Sequence, residues 1–276
     1  MKISGCLRKM RVSHGADDAV DYTLELCKPG SKTDEVAATL PMNALLGREI
    51  RLRPSGKIFC VNCGKGTKKS FSDGYCWRCF STLAETDMCV MKPHTCHFDK
   101  GTCRDPDWGL KHCFQEHALY LARSSGIKVG ITRGTQVPTR FIDQGASEAL
   151  IIGLFPSRKE VGEAEFAISQ EMSDKTNWKR MLVNELCDTP FEDCLIQARA
   201  LLTSAQQEHL LPCGRLLRFA YPHLSWPSKI SNSFNFDKSP LIHSPLIGIR
   251  GQYLIFEDGV LNIRSQSGYE VEIEVE

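Results

Sequence analysis

Residues 60–79 read CVNCGKGTKKSFSDGYCWRC, so that Cys60-x-x-Cys63 and Cys76-x-x-Cys79 stand twelve residues apart. A CxxC loop presents two thiolates about one zinc coordination sphere apart, and its backbone N–H groups can point at the sulfurs. Gly64 and Gly66 follow the first pair and Gly74 precedes the second, supplying the close turns that each knuckle needs. The spacing predicts a structural Zn2+ held by Cys60, Cys63, Cys76 and Cys79. Continuous hydrophobic pattern is short over residues 59–113, where Gly, Pro and Asp abound, so metal is expected to replace much of the missing core there.

Outward from that stretch the cysteines continue. Eight of the thirteen fall between residues 60 and 113, the second four being Cys89, Cys96, Cys103 and Cys113 with six, six and nine residues between them. His94, His97, His112 and His117 lie nearby as substitute ligands. This set reads as a second structural zinc, with an iron–sulfur cluster or plain buried cysteines as the alternatives. Closed shells of four thiolates leave no position for water, so these sites are expected to scaffold rather than catalyse. A disulfide framework would need an oxidising compartment. The first twenty residues carry Lys2, Arg8, Lys9, Arg11, Asp17 and Asp18 with no apolar core, so no secretion leader is expected and a cytoplasmic location follows. Cys6, Cys27, Cys187, Cys194 and Cys213 are scattered and read as small buried apolar residues.

With 276 residues, 42% hydrophobic and 24% charged, the chain can bury a full core, which excludes wholesale disorder. The longest strongly apolar run, Ala149 to Phe155, is too short to cross a bilayer. A formal charge of +1 hides an asymmetry: residues 51–140 hold 15 Lys/Arg and 7 Asp/Glu, net +8, against net −7 for the rest. That basic third is a candidate polyanion surface, or equally a solvated face beside a metal site.

The fold class is α+β, with β-rich terminal segments around the zinc-knuckle region and a β-hairpin/α module. Residues 1–58 read as strands, Glu49 to Arg53 alternating polar and apolar. Residues 59–115 hold the cysteines. In 116–185, Ala118 to Ala122, a Ser-Ser-Gly turn at 124–126 and Ile127 to Ile131 give a hairpin, followed by a helix start near Thr139, a strand at Ala149–Phe155 and a helix over Val161–Met172. Residues 186–245 read as an amphipathic helix over 188–211 closed by Pro212, then a proline-punctuated loop over 222–245. Residues 246–276 alternate again, with an Asp258-Gly259 turn, and are expected to pair with 1–58.

The segment 118–168 carries parts suited to phosphodiester cleavage: Tyr120 on one hairpin strand, Lys128 and Gly130 on its partner, Arg140 opening a helix, and Glu165 beside Val161, Ala164 and Ile168 on a helical face. An Arg stabilises charge on a pentacovalent phosphate, a Glu holds one Mg2+, and a Tyr orients or deprotonates water. Each also has a plain structural use: a hairpin aromatic, a packing glycine, a surface ion pair of Arg140 with Asp143. Ala118-Leu119-Tyr120 and Lys128-Val129-Gly130, with Arg140 and the Glu165 segment, resemble the GIY-YIG nuclease superfamily over about 65 residues. That resemblance implies an endonuclease-like protein dependent on Mg2+ or Mn2+, with DNA or RNA as partner and no membrane. Lys128 stands where the second motif has a Tyr, a departure that bears on water activation. Asp143, Gln144, Asn177 and Trp178 are further candidates for the cleft wall. More widely, Gly101 to Gly109, Lys128 to Arg133, Pro138 to Arg140, Asp143 to Ala146 and Lys175 to Trp178 resemble the bacterial family of domain of unknown function 2797. A zinc-stabilised nucleic-acid-binding module without catalysis is the alternative function, and an iron–sulfur or redox protein a third.

Overall fold

The computed structural model describes residues 1–31, 35–172 and 177–276; Lys175 and Thr176 of the family-like segments lie outside them. Two compact units form, Met1–Ser81 with Ala220–Glu276, and Thr82–Phe219, which interrupts the first in sequence. Among the described residues no helix is long and apolar enough to cross a membrane.

The first unit opens with β1 (Lys2–Leu7), β2 (Arg11–His14), β3 (Val20–Cys27), β4 (Val36–Pro41), β5 (Glu49–Phe59) and β6 (Gly66–Thr67), followed by the short helix α1 (Trp77–Thr82). Period-2 alternation explains β3: Val20, Tyr22, Leu24 and Leu26 are buried while Asp21, Thr23 and Glu25 point the other way.

The second unit begins with α2 (Met88–Met91) and α3 (Pro106–His112), which frame the second cysteine set. The hairpin β7 (His117–Arg123) and β8 (Ile127–Arg133) follows, then α4 (Thr139–Asp143), β9 (Glu148–Phe155), α5 (Arg158–Ser169), α6 (Trp178–Leu182), α7 (Phe191–Ala200), α8 (Ser204–Gln207) and β10 (Leu210–Arg218). The antiparallel sheet has the order β10-β9-β7-β8. Ser157 caps α5 by accepting from the Glu160 N–H. The helix lays Val161, Ala164 and Ile168 on Leu119, Leu121, Val129 and Ile152, and α7 adds Phe191, Cys194 and Ala198.

One expectation fails here. Residues 188–211 do not form one helix: α7 ends at Ala200, Thr203 starts α8 with a capping box, and Pro212 lies inside β10. The strand tolerates the proline because its pairing with β9 is interrupted between Leu210 and Arg215. Cys187 and Cys213 also depart from the buried reading, being half-buried and exposed, while Cys6, Cys27 and Cys194 are buried.

His117 starts β7 fully buried, its Nδ1–H directed at the Gln115 carbonyl at 2.7 Å, and burial pushes its pKa down to about 4. The unfolded imidazole, near 6.5, takes up a proton first, so stability is full above that pH and declines as pH falls toward 4, by at most about 3 kcal/mol. Urea unfolding at about pH 7.5 and 4.5 should show this loss in wild type and a smaller one in His117→Phe.

The chain returns to the first unit with β11 (Ser233–Phe234), β12 (Ile242–Arg250), β13 (Tyr253–Phe256), β14 (Gly259–Asn262) and β15 (Tyr269–Val275). The 11-stranded sheet runs β11-β14-β13-β12-β5-β15-β1-β3-β2, with β4 on β3 and β6 on β5. The stretch 222–245 is therefore not all loop; it contains β11 and the start of β12, and Pro245 sits within β12 opposite Glu49. On one face Ile3, Leu52 and Ile273 align in register. On the other, Glu272 meets Arg53 and Lys2 at 3.1 and 3.0 Å, and Glu274 meets Arg51 at 3.0 Å. This ladder assigns the glutamates of β15 to cross-strand pairing, each contact contributing about 0.2–1 kcal/mol.

Candidate functional site

The first cysteine quartet gathers at the end of β5 and the start of α1. The Sγ atoms of Cys60, Cys63, Cys76 and Cys79 all lie within 4.8 Å of one another. Cys63 and Cys76 are 3.8 Å apart, which matches the edge of about 3.8 Å expected for a tetrahedron with Zn–S bonds of about 2.3 Å. Asn62, between the first two cysteines, donates to Cys79 Sγ at 3.3 Å. Burial pushes the Cys60 thiol up, but N–H groups of Cys63, Cys76 and Asn62 outweigh it and bring the group down to about 7. Cys79 goes the other way, to about 12, through burial and the neighbouring thiols. Four such groups ionise together only around a cation, so the donor set fits Zn2+. Gly64 and Gly74 have φ of +71° and +123°, and a Cβ on Gly64 would stand 2.5 Å from the Gly30 carbonyl oxygen. Gly66 differs from its expected role: it lies in β6 with open space around its Cα.

The second quartet is arranged otherwise. Cys89, Cys96, Cys103 and Cys113 line one pocket of about 20 Å3 in the second unit. Cys89 groups within 4.8 Å with Asp87 and His97, and the other three cysteines do not join that set. Asp87 caps α2 through the Cys89 N–H and pairs with Arg104 at 2.6 Å. Burial, with help from Asp87, Cys96 and Cys113, pushes Cys89 up to about 12, and burial raises Cys113. Of the four histidines considered as substitute ligands, His97 reaches the pocket wall. His94 stacks on Phe166, His112 accepts from Arg133 at 2.8 Å, and His117 is buried at the start of β7. Sequence reasoning missed Asn62, Asp87 and the half-buried Arg158, whose guanidinium donates to the Val90 carbonyl.

Of the residues read for phosphodiester chemistry, Tyr120, Gly130 and Lys128 share one face of the hairpin, since Tyr120 pairs with Gly130 and Ala122 with Lys128. The Tyr120 ring lies over Gly130, packs edge-on to Phe141 of α4 at 4.6 Å, and exchanges hydrogen bonds with the Gln144 amide at 2.9 and 3.2 Å. Burial raises the Tyr120 pKa; Arg140 acts against it by charge and hydrogen bonding, and Glu165 adds to it by its charge. Gln144 and Arg140 thus meet at the Tyr120 hydroxyl and the charge of Glu165 reaches it, Tyr120 being only 1% exposed. Glu165 is half-buried, at the margin of the apolar face that Val161, Ala164 and Ile168 form. Asn177 caps α6 and Trp178 opens it. An added methyl at Gly130 would stand 2.5 Å from the Tyr120 hydroxyl oxygen, so Gly130→Ala is expected to destabilise the second unit by about 1–3 kcal/mol, read as a lower urea midpoint.

The basic third of the sequence divides. Arg51 and Arg53 pair across the sheet, Arg104 pairs with Asp87, and Arg123 with Glu148. Lys65, Lys68 and Lys69 are exposed on the first cysteine segment, Lys69 lies over the Phe71 ring that packs against Trp77, and Trp77 is 61% exposed.

The sequence model of the family described as protein of unknown function (DUF2797) matches residues 47–271, most of the chain. The chain belongs to this family. No curated protein and no solved structure matches it. The family match takes in both cysteine quartets and the Tyr120 cluster, whereas β1 to β4 precede it.

Proposed function

We propose that this DUF2797 protein acts on nucleic acid, with zinc as a scaffold and Mg2+- or Mn2+-dependent phosphodiester hydrolysis at the Tyr120 cluster. The observation that carries the reading is that Gln144 and Arg140 hydrogen-bond the Tyr120 hydroxyl while the charge of Glu165 reaches it. Arg140 supplies a fixed positive charge for the extra negative charge on the phosphate. Glu165 supplies one carboxylate for a divalent ion, and substrate phosphate and water complete a Mg2+ shell without a dedicated cage. Tyr120, closed off from solvent, positions Arg140 rather than meeting substrate. Lys128, half-buried on the same face, is the proton-transfer candidate at the position where the resembling nucleases have a Tyr.

Two observations favour a binding module without catalysis: the closure of Tyr120, and an exposed Trp77 on the same cysteine segment as the exposed Lys65, Lys68 and Lys69, a stacking ring and phosphate-binding cations. Zinc-replete protein with Mg2+ or Mn2+ and labelled single-stranded, duplex, flapped and branched DNA and RNA separates the two. Cut products support hydrolysis. A salt-sensitive gel shift without cutting supports the binding module, and neither cutting nor shift removes the nucleic-acid reading.

A further inference from the structure

The turn at Asp87 and Cys89 and the loop at His97 bring one carboxylate, one thiol and one imidazole together in the second unit. Their ligand atoms all lie within 4.8 Å of one another. All three residues line the pocket of about 20 Å3, which is room for one ion or one water. Asp87 Oδ1 and His97 Nε2 stand 3.5 Å apart. That is long for a hydrogen bond, and close to the N···O edge of about 3.4 Å expected when both atoms bind one tetrahedral ion at about 2.0–2.1 Å. We infer that Asp87 Oδ1, Cys89 Sγ and His97 Nε2 bind a single Zn2+ whose fourth position is left to water.

The groups behind each ligand suit that role. The Thr102 hydroxyl donates to the His97 carbonyl at 3.3 Å and lies 2.9 Å from His97 Nδ1. Its one hydrogen goes to the carbonyl, so toward the ring it accepts; the proton then sits on Nδ1, and Nε2 keeps its lone pair for a metal. Asp87 divides its oxygens: Oδ2 takes Arg104 Nε at 2.6 Å, while Oδ1 accepts from the Cys89 N–H at 3.1 Å and has a second lone pair to give. Arg104 is anchored in turn on the Leu83 carbonyl at 3.1 Å. Its side chain is 32% exposed, so water screens its charge from an ion on the other carboxylate oxygen. Carboxylate, thiolate and imidazole together are a zinc donor set, whereas Mg2+ takes oxygen ligands. Cys96, Cys103 and Cys113 line the same pocket without joining the 4.8 Å set, and the Cys103 thiol is directed at the Asp105 carbonyl at 3.4 Å. Three protein ligands with one exchangeable position distinguish this site from the closed Cys60 quartet, and are the form in which zinc activates a bound water. On binding, the Cys89 thiol passes its proton to solvent as the zinc–sulfur bond forms, with no change of oxidation state. This inference is independent of the nucleic-acid reading.

The test uses the full chain reloaded with Zn2+ and freed of excess ion, read by elemental analysis and zinc X-ray absorption. About two zinc per chain are expected, sharing about five sulfurs and about three nitrogen or oxygen atoms between them. His97→Ala should hold about one zinc, surrounded by sulfur alone. Thr102→Val, at an exposed position, keeps all three ligands and should hold the second zinc about 10–100-fold more weakly against a chelator, with the urea midpoint of the metal-free chain unchanged. About one zinc per chain in wild type would overturn the proposal. So would two zincs with sulfur alone around both, the result for a second four-thiolate site, or a second zinc retained in full by His97→Ala. Should His97→Ala fail to fold, the wild-type count and coordination decide alone.

Discussion

Cys76→Ser is expected to strip the zinc from the Cys60 quartet and to unravel the knuckle around it. A serine hydroxyl is neither soft nor ionised near neutral pH, so one corner of the tetrahedron is lost. Structural zinc contributes an apparent free energy of about 10–16 kcal/mol in small zinc peptides, and the segment has little else to hold it. Its apolar contacts are chiefly the rings of Phe71, Trp77 and Phe80, 5.3 to 5.9 Å apart. The sheet of the first unit rests on its own core of Leu24, Leu52, Leu254 and Ile273 and is expected to survive. Elemental analysis should show one zinc fewer per chain, and amide exchange over residues 60–80 should rise to near-unprotected rates while β3 and β15 stay protected. Acid acts in the same direction: zinc binding expels thiol protons, so the metal is released as pH falls.

Arg140→Ala should lower the single-turnover rate of phosphodiester cleavage about 10²–10³-fold, the range for removing one preorganised charge donor at a reacting centre. Arg140 is half-buried and acts on the Tyr120 hydroxyl, so its removal also frees that hydroxyl from one of its partners. Tyr120→Phe separates the two effects. It keeps the ring packed against Phe141 and over Gly130 but removes the hydroxyl, and is expected to lower the rate by less than Arg140→Ala does. A Tyr120→Phe rate below that of Arg140→Ala would make the tyrosine the reacting group.

Much of this was legible from residue patterns. The alternation of Tyr269 to Val275 gave a strand because every second side chain is apolar and the glutamates between have cationic partners on β1 and β5. The hairpin at 118–131 was legible from two apolar runs around a Ser-Ser-Gly turn. What was not legible depends on contacts distant in sequence. Pro212 reads as a helix stop, but only the broken register of β10 against β9 shows that a strand can hold it. Within the candidate site, the CxxC spacing marked the first quartet because both members of each pair are local. The second quartet has no such local rule, and its gathering round one pocket emerges only when α2 and α3 are positioned. The convergence on Tyr120 joins residues up to 45 positions apart, of which Gln144 ranked below the others in the sequence.

The most direct measurement is single-turnover cleavage of labelled nucleic acid by zinc-replete wild type and Glu165→Gln over a Mg2+ titration, with binding read on the same samples. Glutamine keeps the size of the side chain and removes the charge that would hold the ion. Metal-dependent cutting by wild type, lost in Glu165→Gln with zinc content and binding unchanged, is the predicted result. Wild type that leaves every strand intact at all Mg2+ concentrations, or Glu165→Gln that cuts as fast as wild type, would contradict hydrolysis at this site.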